Sequence, residues 1–125
     1  MTKGPIVIVE DDKDDQEIYA EALTAIGIPN EVRFFNGGPE LLDYLMTTDE
    51  QPFIILSDIN MPGMSGLELL RHIKEKHHEP PPVVMMITAY GDKENYDTAM
   101  RLGADDFLAK PLEFNVLKEK LKAIH

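Results

Sequence analysis

Asp58 closes an apolar run, Ile54-Ile55-Leu56-Ser57, and is followed by Ile59-Asn60-Met61-Pro62-Gly63-Met64-Ser65-Gly66, a stretch that reads as a turn before a helix. A lone carboxylate at the mouth of a buried strand costs desolvation, so its placement marks a site rather than a solvated surface. Other apolar runs end in a similar way. Glu10, Asp11 and Asp12 follow Ile6 to Val9, Thr88 ends the run from Val83, and Lys110 follows Asp106 to Ala109. Acidic positions, a hydroxyl and an ammonium converging at one edge make a costly cluster of like charges unless a cation neutralises the carboxylates. A hard divalent cation suits such oxygen donors: Mg²⁺ keeps several waters and takes one or two carboxylates together with phosphate oxygens. On that reading Asp58 is a nucleophile toward phosphorus and forms an aspartyl phosphate. Thr88 supplies a hydroxyl donor, and Lys110 helps neutralise the developing charge.

Each of these residues also has a plainer reading. An acidic run after Val9 suits a solvated helix N-terminus, where carboxylates complement the dipole. Thr88 taken alone is an ordinary strand-end residue, and Lys110 taken alone is a solvated charge. Their shared position, each at the carboxyl end of its own strand, favours the site. Pro111 restricts Lys110 to extended geometry and makes a cis bond affordable, a trans turn being the commoner form.

The elements that must hold these residues follow from hydrophobic patterning. Short, solidly apolar runs predict strands at Ile6 to Val9, Glu31 to Phe35, Phe53 to Ser57, Val83 to Thr88 and Asp106 to Ala109, because burial on both faces of a parallel sheet replaces alternation. The second is the least apolar and suits a sheet edge. Apolar residues at three- and four-residue spacing predict helices over Asp14 to Ile26, Pro39 to Met46, Ser65 to His77, Lys93 to Leu102 and Glu113 to Ile124. Gly27 and Gly103 stand at C-terminal caps, Pro39 opens the second helix, and Ser65 is an N-cap with Glu68 three residues on. Pro80-Pro81-Pro82 breaks the chain before the fourth strand. Five βα units with right-handed crossovers make an open, doubly wound α/β sheet, whose ligands bind beyond the carboxyl ends of the strands.

Composition restricts the partners. The 125 residues suit one domain, 1–125. Twelve Lys plus Arg against 23 Asp plus Glu give 12 − 23 = −11, which disfavours direct binding to nucleic acid or to an anionic membrane. No cysteine is present, so disulfides, thiolate metal sites and cysteine nucleophiles are excluded. The apolar run after Met1-Thr2-Lys3-Gly4-Pro5 is too short for a signal peptide or a span, and a cytoplasmic protein is expected.

Four strings carry a resemblance: Ile8-Val9-Glu10-Asp11-Asp12, Leu56-Ser57-Asp58 through Gly66, Met86-Ile87-Thr88-Ala89, and Phe107-Leu108-Ala109-Lys110-Pro111. In these, and in their order, the chain resembles the receiver domains of two-component response regulators. The resemblance implies a flavodoxin-like (βα)5 fold with strand order 2-1-3-4-5, an order for which the chemotaxis regulator is itself a standard example. It implies that Asp58 accepts a phosphoryl group from a sensor histidine kinase or a histidine phosphotransfer protein. Asp11 would bind Mg²⁺ directly, Glu10 through water, and Asp58 and the backbone carbonyl of Asn60 would complete the set, with Asp12 secondary. Thr88 and Lys110 would contact phosphoryl oxygens, and Phe107 matches the aromatic that turns inward as Thr88 moves. Catalysis would be limited to accepting and losing this phosphoryl group. The output would be a protein partner met through the face of the fourth helix, fifth strand and fifth helix.

Two further positions bear on the lifetime of the phosphoryl group. Tyr90 is placed to shield it from water, and Asn60 to orient a water instead. Phe107 has a competing role as a core aromatic. His72, His77, His78 and His125 read as solvated, and the seven methionines, Met85-Met86 among them, as core filler. A phosphorylation-independent pseudo-receiver is the main alternative, weighed against by the intact Glu10, Asp11, Asp58, Thr88 and Lys110. A phosphatase of related fold would want a second aspartate where Asn60 stands.

Overall fold

The computed structural model describes residues 4–61, 63–75, 82–89, 92–110 and 112–124. Pro62, Tyr90, Pro111, His77, His78 and His125 lie outside them, so the shielding role of Tyr90, the geometry of the Lys110-Pro111 bond and those three histidine readings fall outside the described residues.

Four consecutive β-branched residues, Ile6-Val7-Ile8-Val9, are wholly buried as β1 because both faces of that strand are covered. Strands and helices then alternate: β1 (Ile6–Val9), α1 (Lys13–Ile26), β2 (Val32–Phe35), α2 (Gly38–Thr47), β3 (Ile54–Asp58), α3 (Gly66–Glu75), β4 (Val83–Ala89), α4 (Lys93–Arg101), β5 (Asp106–Lys110) and α5 (Phe114–Ile124). All pairings are parallel, in the order β2-β1-β3-β4-β5, with the least apolar strand at one edge as expected. This is the flavodoxin-like doubly wound fold.

Because strand side chains alternate between faces, each apolar run feeds two cores. Val7, Val9, Ile55, Val84 and Met86 pack with Leu41 of α2, Leu69, Leu70 and Ile73 of α3 and Ala99 of α4. Ile6, Ile8, Ile54, Leu56, Met85, Ile87 and Leu108 pack with Tyr19, Ala22 and Leu23 of α1 and Leu117 and Leu121 of α5. Met85 and Met86 are fully buried, one in each core, whereas Met46 and Met100 are exposed, so the reading of all the methionines as core filler is corrected at those two.

Helix boundaries follow local chemistry. Asp12 caps α1, its Oδ1 accepting from the backbone N–H of Asp14 at 2.8 Å and of Asp15 at 3.2 Å. Gly27, at φ 76°, ends α1 in the left-handed conformation that glycine tolerates. Ser65 Oγ accepts from the Glu68 N–H at 3.2 Å, the predicted cap of α3. Small corrections apply elsewhere. Asp58, Ala89 and Lys110 belong to their strands, because ladder pairing runs to Asp58↔Ile87 and Ala89↔Lys110. Pro39 is second in α2 rather than first, behind Gly38, and α5 begins at Phe114.

Candidate functional site at the carboxyl edge of the sheet

The carboxyl ends of β1, β3 and β5 bring Glu10, Asp58 and Lys110 together. Asp58, the last residue of β3, is 6% exposed; its Oδ1 accepts from the Asn60 N–H at 3.1 Å and its Oδ2 from Lys110 Nζ at 2.9 Å. Glu10 is fully buried beyond β1. Its Oε2 accepts from the Asp12 N–H at 3.2 Å, and its carbonyl from Gln16 Nε2 at 2.6 Å. Glu10 Oε1 lies 3.1 Å from Lys110 Nζ as an ion pair, but makes no well-directed hydrogen bond. Burial lifts the Glu10 carboxyl above its ordinary carboxylate range, against the pull of Lys110 and the Asp12 N–H. Burial would by itself lower the Lys110 ammonium, yet its close contacts with the carboxylates of Asp15, Asp58 and Glu10 outweigh it and raise Lys110 above the ordinary lysine value.

Asp15 is a member of this cluster that sequence reasoning missed. Its Oδ2 lies 2.8 Å from Lys110 Nζ. The available signal was the cap: Asp12 at the N-cap makes Asp15 the third helical residue, in the first turn facing the strand ends. Gly66 is a second residue whose part is not apparent from the sequence: a Cβ at that position would collide with the Asp58 carbonyl oxygen and crowd the Ile59 Cα. The backbone of α3 therefore packs directly under the proposed nucleophile, an approach only glycine allows.

Pleat parity divides the remaining residues. Glu10, Asp58 and Lys110 continue the alternation of the α1/α5 core, whereas Thr88 and Phe107 lie on the α2–α4 side. Thr88 is 2% exposed and its Oγ1 has no hydrogen-bond partner among the described residues. A buried hydroxyl without a partner is uncommon and stands ready to donate to an incoming oxygen. Phe107 is half-buried, its ring edge-on to Tyr96 of α4 with centroids 4.2 Å apart, and Lys120 Nζ lies 5.8 Å from the Phe107 centroid. Asp11 is exposed and makes no side-chain hydrogen bond or ion pair among the described residues.

Among the described residues no three acidic or histidine side chains are gathered so as to hold a metal ion; instead Lys110 stands among three carboxylates. The donor set nonetheless suits a hard cation. It consists of carboxylate and carbonyl oxygens, and Glu10 Oε1 is buried without a hydrogen bond.

Fold and edge together define an α/β domain that concentrates its polar chemistry at one topological end. The profile of the response regulator receiver domain matches residues 6–122, and the chain belongs to that family. It is 39% identical over 115 residues to the DNA-binding transcriptional regulator NtrC of Klebsiella pneumoniae, matching 92% of this chain and 23% of that protein. The chain thus spans about a quarter of the length of the NtrC regulators it matches. It is 34% identical over 120 residues to a chemotaxis protein CheY homolog of Campylobacter jejuni, covering 95% of this chain and 90% of that one. Among solved structures it resembles the phosphorylated cyanobacterial phytochrome response regulator RcpA, with TM-score 0.82, 26% identity, and 98% and 91% of the two chains covered. Receiver domains in general bind Mg²⁺, meet histidine kinases and downstream effectors, and act as switches rather than enzymes. No helix among the described residues is long and apolar enough to cross a membrane.

Proposed function

We propose that this chain accepts a phosphoryl group on Asp58 in a Mg²⁺-dependent reaction and thereby changes which protein it binds. The observation that carries the reading is the Lys110 Nζ to Asp58 Oδ2 contact of 2.9 Å, at a buried strand end next to strand β4 and its unpartnered Thr88 hydroxyl. In the reaction a carboxylate oxygen of Asp58 forms a bond to phosphorus while the bond from phosphorus to the donor's imidazole nitrogen breaks, and that nitrogen leaves with the electron pair. Lys110 offers its ammonium to a phosphoryl oxygen, and Thr88 donates its hydroxyl to another. Glu10, Asp11, Asp58 and the Asn60 carbonyl are the groups that would hold the cation. When bound, Mg²⁺ supplies charge neutralisation for the phosphoryl oxygens.

The signal follows from packing. Thr88 pairs across the sheet with Ala109, two residues from Phe107, and Phe107 leans on Tyr96 of α4. About two added negative charges draw Thr88 toward Asp58, and the space it leaves admits Phe107. The α4–β5–α5 face is then repacked. Phe114 and Val116 of α5 are exposed large hydrophobics, and an open hollow is lined by Asp106, Val116 and Lys120, whose Nζ lies 5.8 Å from the Phe107 centroid. This supports the face as the place where a downstream protein reads the switch, with a sensor histidine kinase or phosphotransfer protein as donor. The test is intact-mass measurement after incubation with acetyl phosphate and Mg²⁺. Wild type gains one phosphoryl group, Asp58→Asn gains none, and omission of Mg²⁺ abolishes the gain; an unmodified wild type would overturn the proposal.

A further inference from the structure

Lys110 Nζ has three N–H donors and three carboxylate neighbours, and the nearest belongs to Asp15 at 2.8 Å, against 2.9 Å for Asp58 and 3.1 Å for Glu10. Two of these neighbours have other duties on the reading above: Glu10 and Asp58 serve the cation and the phosphoryl group. Asp15 does not. It comes from the first turn of α1 rather than from a strand end, and its helix start is fixed by the Asp12 cap. Its side chain is 19% exposed, and Lys110 is its one cationic partner among the described residues. Tyr19, one turn further along α1, is buried in the apolar core with a hydroxyl that has no hydrogen-bond partner, so it does not compete for Asp15.

We propose that Asp15 is a positioning residue for Lys110: it holds the ammonium at the site through a contact that neither a cation nor a phosphoryl group displaces. The functional half of this statement rests on the phosphorylation reading; the anchoring half does not. With all three carboxylates and the ammonium charged, the cluster carries −3 + 1 = −2, so it still attracts a divalent cation with Lys110 in place. An ammonium held only by Glu10 and Asp58 would have to be expelled as the cation enters. Asp15 gives it somewhere to remain, close enough to reach a phosphoryl oxygen without a search by a four-carbon stem. The ion pair also ties the end of β5 to the start of α1.

The decisive experiment follows the Lys110 ammonium by NMR in the cation-free protein labelled with ¹⁵N-lysine, the signal being assigned with Lys110→Arg. A hydrogen-bonded ammonium exchanges slowly with water and is visible. Wild type and Asp58→Asn are expected to keep the signal, whereas Asp15→Ala loses it through a roughly ten-fold or greater rise in exchange, the effect of losing the shortest of the three charged contacts. Asp15→Glu restores it, which a merely structural role for Asp15 would not. Dispersed amide spectra show that each variant is folded, and Asp15→Asn repeats the loss, in attenuated form, without truncating the side chain. A signal unchanged in Asp15→Ala, or lost equally in Asp58→Asn, or absent in wild type, overturns the anchor. Mg²⁺ is then added to wild type. Failure of the Asp58 and Asn60 amides to shift would sink the phosphorylation reading while leaving the anchor standing.

Discussion

Lys110 only partly offsets the charge of this edge, since Glu10, Asp15 and Asp58 all converge on its one ammonium. Breaking a buried ion pair by removing one partner costs roughly 3–5 kcal/mol, and the 27% exposure of the Lys110 side chain screens part of that. Lys110→Ala should therefore lower the stability of the cation-free protein by about 2 kcal/mol, read from the urea midpoint, and added Mg²⁺ should recover part of the loss. An unchanged midpoint would show that the carboxylates are already relieved by solvent. That Glu10, Asp58 and Lys110 share one edge was legible because each stands at the end of an apolar run. Asp15 was not, because it looks like one more acid in a charged helix start and its partner is supplied by the last strand.

At the level of elements, α3 approaches Asp58 so closely that its first residue must lack a side chain. Gly66→Ala is expected to cost about 1–3 kcal/mol by overpacking against backbone that cannot yield, and to slow Asp58 phosphorylation by shifting the β3 end. Unfolding curves and acetyl phosphate kinetics check both parts. On the opposite side of the fold, Arg33 of β2 grips Glu50 at 3.0 and 2.8 Å, and Tyr44 of α2 adds a 2.6 Å hydrogen bond. Arg33, then Tyr44, hold the Glu50 carboxyl below its usual range. A carboxyl depressed in the folded state adds stability that is present above its unfolded pKa, about 4.3, and is lost as pH falls through the lower folded value. Glu50→Gln should thus show a shallower acid-side decline of the melting temperature than wild type, seen by melting across about pH 6 to 3; parallel declines would contradict this.

Secondary structure was readable because solid apolar runs and three-to-four spacing are local signals, whereas strand ends depend on the neighbouring strand. Asp58, Ala89 and Lys110 extend their strands by ladder pairing that no window of sequence contains. The close approach of Gly66 likewise exists only once α3 folds back on β3.

For the whole molecule, the proposed function has the doubly wound sheet separate where charge is received from where it is read. Pleat alternation puts Glu10, Asp58 and Lys110 with α1 and α5, and Thr88 and Phe107 with α4; on the proposed function, a phosphoryl group on one side would bear on packing at the other through strands only a few residues long. The net charge of −11 adds a general bias toward cations and basic partners. The central claim is that Asp58 alone takes the phosphoryl group, and acyl-phosphate chemistry tests it most directly. The protein is incubated with acetyl phosphate and Mg²⁺, reduced with borohydride, which converts an acyl phosphate to an alcohol, and its peptides are sequenced by mass spectrometry. Homoserine at position 58, dependent on Mg²⁺, is the predicted result; homoserine at another acidic position, or at none, would contradict it.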